Sequence, residues 1–135
     1  MNANVSSALG AYKSTKNQTM IDGASPHTLV SMLLDGALER IAEARGALSR
    51  DDVATSGSAV GSAISIVDSL RVSLDEEQGG QIAVNLAGLY DYITRRLLEA
   101  TATKDVDLLL EANDLLKEIK VAWDQVPVDL HHLSE

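Results

Sequence analysis

The chain has 135 residues, no cysteine, no phenylalanine and a net charge of −9, with 45% hydrophobic and 3% aromatic residues. One domain of this size can bury a real core, and with so few aromatics the core is built from Leu, Ile, Val and Ala, which suits helix packed on helix. The acidity argues against nucleic acid or an anionic membrane surface, which require clustered Lys and Arg. The lack of Cys removes disulfides, thiol nucleophiles and Cys-ligated metals. The first residues, MNANVSSALGAYKS, contain neither a basic nor an apolar leader region. No run reads as a membrane span, so the expectation is a soluble cytoplasmic protein.

Residues 1–24 are small and polar, but Val5, Ala8, Leu9 and Tyr12 fall at i, i+3, i+4 and i+7. So short a helix is marginal alone and would form by docking its apolar side. Lys13 to Ala24 reads as a flexible connector. Leu9 and Tyr12 then sit on a detachable arm, or on a frayed terminus.

Ser25-Pro26 starts the first long helix, because Ser caps free N–H groups and Pro at the first helical position has none to waste. The helix runs to about Leu48. Val30, Leu34, Ala37, Ile41, Ala44 and Leu48 keep heptad spacing and should face the core. Leu29, Met32 and Gly36 form a neighbouring face, with Leu33 between. That surplus apolar surface is either contact with a second helix or a groove wall. Asp51-Asp52 opens the next helix. Val53, Val60, Val67 and Leu74, joined by Ala63, Ile64 and Leu70, are its expected core side. Gly57, Gly61, Ser56, Ser58 and Ser62 permit close helix approach or leave a shallow channel, and the segment is too polar to make its GxxxG a membrane signal.

Leu74 to Leu97 reads LDEEQGGQIAVNLAGLYDYITRRL. Gly79-Gly80 marks a boundary. Beyond it Ile82, Leu86, Leu89, Ile93 and Leu97, widened by Ala83 and Tyr90, cover an arc of roughly 120°, about what a core-facing helix needs. Asn85, Tyr92 and Arg96 lie beside that arc. An aromatic with a guanidinium and an amide can grip a partner's backbone, and the same spacing fits a core margin with a solvated Arg. A polar link at Thr103 to Asp105 leads to the last helix, with Leu108, Ala112, Leu115, Ile119, Ala122 and Val126 as core stripe. Leu109, Leu116 and Trp123 make a second line, with Trp123 expected as a core anchor near the bundle end. Pro127 stops the helix. The expected architecture is all-α: an antiparallel four-helix bundle, with cap and connector over 1–24, the bundle over 25–127 and a loose tail over 128–135.

Catalysis finds little support. There are no Glu-x-x-His pairs for a di-iron centre. His27 sits in a first helical turn and His131-His132 in the tail, so no mid-helix His serves phosphotransfer. Asp75, Glu76 and Glu77 are sequential rather than facing. The expectation is a binding module, not an enzyme, with no cofactor and no metal.

SPHTLVSMLLDGAL, LDEEQGGQIAVNLAGLYDYITRRLLEA and the late Ala122-Trp123 resemble the flagellin-specific export chaperones, the FliS family, from Ala11-Tyr12 to Trp123. One departure is Leu34, where many members carry an aromatic before Asp-Gly. The resemblance implies a helical bundle that binds the disordered C-terminal segment of flagellin, prevents premature polymerisation and hands it to an FlhA-like flagellar export gate protein. It implies Leu9 and Tyr12 as cap and gate-docking residues. On this reading Leu29, Met32, Leu33, Gly36, Asn85, Leu89, Tyr92 and Arg96 contact flagellin. The protein would be a monomer or homodimer, without nucleic acid or membrane insertion. The alternative is a non-catalytic adaptor bundle joining folded partners.

Overall fold

A computed structural model describes residues 25–125, with the side chains of 76–78 left aside. Leu9, Tyr12, Val126 and the tail lie outside the described residues. Four helices follow one another: α1 (Pro26–Ser49), α2 (Val53–Val72), α3 (Glu76–Thr103) and α4 (Val106–Asp124). Each packs on its neighbour in the chain, and α1 closes the ring against α4. The result is an all-α, antiparallel four-helix bundle.

Local chemistry sets the ends. Ser25 Oγ accepts from the Thr28 amide at 3.1 Å, with Pro26 at the first helical position. Asp52 Oδ1 accepts from the Thr55 amide and starts α2. Hydrogen bonding from the Thr55 hydroxyl, and then from its amide, holds the Asp52 carboxyl below the usual carboxylate range. Asp105 Oδ1 accepts from the Asp107 amide and starts α4. The tight links turn at Asp51 (φ 59°) and Lys104 (φ 56°). Gly80 divides α3 at the boundary expected there: at φ 56°, ψ −132° it puts a kink between two helical segments that form one element. Those angles are strained for any residue with a Cβ.

The core is aliphatic, as the composition requires. Leu34, Ile41, Val67, Ile93, Leu97, Ala112 and Leu116 are fully enclosed. Each large one contributes about 1.5–3 kcal/mol by leaving water. The α1 stripe stands as expected, with Leu29 and Ala47 added and Leu48 only half-buried. Elsewhere the stripes are displaced. On α2, Val53 is exposed, and Ser56 and Ala59 take inward positions. On α4 the line of Leu109 and Leu116 is enclosed, Leu108 and Leu115 are half-buried, and Ala122 is exposed. On α3 the buried line is Ala83, Ala87, Tyr90, Ile93, Leu97 and Ala100, whereas Ile82 is 60% exposed. Leu86 and Leu89 are half-buried. The small alanines let α3 approach its neighbours, and the larger side chains one position earlier are left on its flank.

By length and composition α2 is long and apolar enough to cross a membrane, contrary to the sequence reading. Its Ala, Val and Ile outweigh its Ser and Gly. In the bundle Val60, Ala63, Val67 and Leu70 are buried among the other helices. The small-residue choice also resolves. A methyl at Gly36 would meet Ile66 Cδ1 at 3.5 Å, an ordinary packing contact, whereas Gly57 and Gly61 face open space.

Candidate functional site: an apolar groove at one end of the bundle

The start of α1, the end of α2, the first half of α3 and the end of α4 meet at one end of the bundle. They leave between them a groove of about 470 Å³. Val30 and Leu34 form one wall and Leu70 and Leu74 another. Ile82, Leu86 and Leu89 come from α3, and Ile119 and Trp123 from α4. The polar lining groups are few. Ser73 Oγ already donates to Leu70 O at 2.9 Å, Glu118 is exposed at the mouth, and Tyr90 is 3% exposed. Burial drives the Tyr90 phenol well above its usual pKa.

Two clamps fix the groove's walls. Trp123 Nε1 donates to His27 O at 2.9 Å, His27 Nε2 lies 2.8 Å from Trp123 O, and the rings stack with centroids 4.7 Å apart. Beside them Ser31 Oγ donates to Asp124 Oδ1 and Lys120 Nζ donates to Asp124 Oδ2. The hydrogen bond from Lys120 holds the Asp124 carboxyl below its ordinary range. On the other flank Arg71 Nε donates to Asp91 Oδ1 and ties α2 to α3.

Of the eight residues expected to touch a guest, Leu89 lines the groove. Leu29 is 1% exposed, so its side chain serves the core and offers no free surface: heptad counting placed it beside the core face, but α1 is enclosed on more than one side. Met32, Leu33 and Gly36 are half-buried away from the groove, Gly36 toward Ile66. Asn85 is exposed and accepts from Gln81 Nε2 at 2.9 Å. Tyr92 and Arg96 form a network with α4: Tyr92 Oη donates to Glu111 Oε2 at 2.7 Å, and Arg96 Nε donates to Tyr92 Oη at 2.9 Å. Arg96 also pairs with Glu99 and Glu111, each at 3.0 Å, and stacks over the Tyr92 ring at 5.1 Å. The sequence reading missed Leu74, Ile82, Leu86 and Trp123 as groove residues because it assigned them to the core. The available signal was the pair of adjacent apolar lines on α3, one small and one large. Only one line can occupy a core of given width.

Among the described residues no cluster of three His, Asp or Glu is placed to hold a metal. The fold and the concave apolar surface define a helical binding protein. A family model described as "Flagellar protein FliS" matches residues 8–129. The chain belongs to this FliS family. It is 41% identical over 119 residues to "Flagellar secretion chaperone FliSB" of Pseudomonas aeruginosa, covering 88% of this chain and 94% of that one. It is 42% identical over 121 residues to the flagellar secretion chaperone FliS of Salmonella typhimurium, covering 89% and 90%. The Vibrio cholerae FliS is 37% identical over 127 residues, covering 94% and 93%.

Proposed function

We propose that this chain is a cytoplasmic, non-catalytic export chaperone for flagellin. It holds the disordered C-terminal segment of flagellin, keeps subunits from polymerising early and presents them to an FlhA-like export gate protein. The groove carries the reading. Its walls are almost wholly apolar, contacts such as His27–Trp123 tie them together, and family membership supplies the secretion context. A disordered guest can lay successive apolar side chains into such a cleft as it orders. An adaptor for folded partners would call for a flatter face, so the concave shape favours the chaperone.

Leu74, Ile82, Leu86, Leu89 and Trp123 are the apolar grip. Asn85 adds an exposed amide on the neighbouring strip, and Met32 and Leu33 extend the contact along α1. Tyr92 and Arg96 act chiefly by holding α3 to α4, with their outer edges available to the guest. Residues 1–24 join the bundle at the groove end, where Ser25 precedes His27 and its contact with Trp123. Leu9 and Tyr12 are therefore proposed to cover the groove until a guest displaces them, and then to dock the gate.

Isothermal calorimetry with a flagellin C-terminal peptide tests the reading. Binding should be enthalpically favourable, entropically opposed and accompanied by a clearly negative heat-capacity change. No binding, or a heat-capacity change near zero, would refute it.

A further inference from the structure

Within the groove one polar atom has no place in the free protein's hydrogen bonding. Tyr90 is 3% exposed and lines the groove. Among the described residues no group is hydrogen-bonded to its hydroxyl. Among the described residues the fully enclosed side-chain polar atom without a partner is instead Arg45 Nε. The Tyr90 oxygen therefore keeps a small contact with open space, which the groove supplies. No hydrogen bond joins it to the other lining side chains: Ser73 Oγ donates to Leu70 O, and the remaining lining is aliphatic or glycine apart from Trp123 and the mouth residue Glu118.

An empty groove admits water to such a hydroxyl. A guest that fills the groove with apolar side chains expels that water, and the O–H must then find an acceptor on the guest or remain unpaired in an apolar setting. We propose that the Tyr90 hydroxyl donates to a backbone carbonyl of the bound flagellin segment, one not used in the guest's own helix. This rests on the chaperone reading above and assigns its specificity-determining polar contact. A carbonyl inside a helix is already taken by the amide four residues on. The guest over Tyr90 is thus extended or at the last turn of a helix, where carbonyls are free. A guest carboxylate is a poor alternative, because Glu118 stands at the mouth and the whole chain carries a charge of −9. Tyr90 therefore reads the guest's backbone state, while Leu86 and Leu89 read its apolar content.

Tyr90→Phe in the full chain tests this, since the ring and its packing remain. Affinity for the flagellin C-terminal peptide should fall about 5- to 20-fold, and the thermal midpoint of the free protein should hold or rise. Unchanged affinity in a variant whose wild type binds would overturn the proposal and leave the chaperone reading intact. A fall in the free protein's midpoint would show that the hydroxyl serves the fold, and would also overturn it. Failure of the wild type to bind the peptide removes the chaperone reading, and this proposal with it.

Discussion

Ile93 and Leu89 lie one helical turn apart on α3, and truncating each to Ala separates folding from binding. Ile93 is 0% exposed. Its truncation removes three carbons from a sealed site, about 2.4 kcal/mol at roughly 0.8 kcal/mol per carbon. The cavity left in the core it shares with Ile41, Val67 and Leu97 adds to that, giving roughly 3–4 kcal/mol. Leu89 is half-buried and borders the groove. Part of its side chain is already in contact with water, so its truncation costs about 1–2 kcal/mol. For a bundle of this size about 4 °C of thermal midpoint corresponds to 1 kcal/mol. Ile93→Ala should melt roughly 12–16 °C below wild type, and Leu89→Ala roughly 4–8 °C below. Binding should show the reverse order. Leu89→Ala should weaken the flagellin peptide about tenfold, near 1.4 kcal/mol, and Ile93→Ala should bind normally at temperatures where it is folded. The assays are thermal melts followed by circular dichroism and peptide titration at 15 °C. Equal midpoint losses with equal affinities would refute the division of α3 into a core line and a groove line.

Other outcomes follow from the same geometry. Tyr92→Phe and Glu111→Gln should each lower the midpoint by a few degrees, and the double variant should cost less than their sum, since both break one network; additive losses would show that the two side chains are not coupled. Gly80→Ala should cost about 1–3 kcal/mol, because its φ and ψ suit only glycine; an unchanged chemical-denaturation midpoint would show that the kink is not required. Asp124 is held below its ordinary pKa, so its contribution is present above the unfolded value near 3.8 and is lost as pH falls through the folded value. The stability gap between wild type and Asp124→Asn should be small at pH 7, given the exposure of the pair, and should narrow as the pH falls below 3.8 and through the folded value. Deleting residues 1–12 should leave peptide affinity equal or higher and reduce solubility; a marked loss of affinity would make the arm part of the grip.

Much of the bundle was legible because helical repetition and capping are local. Ser25-Pro26, Asp52 and Asp105 announce three helix starts. Val30 to Ala44 on α1 has one inward face that heptad counting finds. Neighbour identity was not legible. Ile82 and Leu86 repeat as well as Ile93 and Leu97 do, and repetition alone does not reveal that the first pair faces a cleft and the second a sealed core. Size misleads here too: Ala83, Ala87 and Ala100 face inward because close approach favours small side chains, while a reader counting large apolar residues follows the other line. Tyr92 and Arg96 were grouped correctly on one strip. Their partner, Glu111, sits on another helix and could not be paired with them by spacing.

The closure of α1 on α4 has a consequence for synthesis. His27 and Trp123 are 96 residues apart in the chain, and Trp123 is itself a wall of the groove. A nascent chain of which only α1, α2 and α3 have emerged lacks its fourth wall. Binding competence thus arrives as a single late event, when the last helix has emerged and swung back against the first. A truncated translation product ending before α4 would expose Val30, Leu34 and Leu70 without forming a cleft. It would be a substrate for proteolysis rather than a weak chaperone.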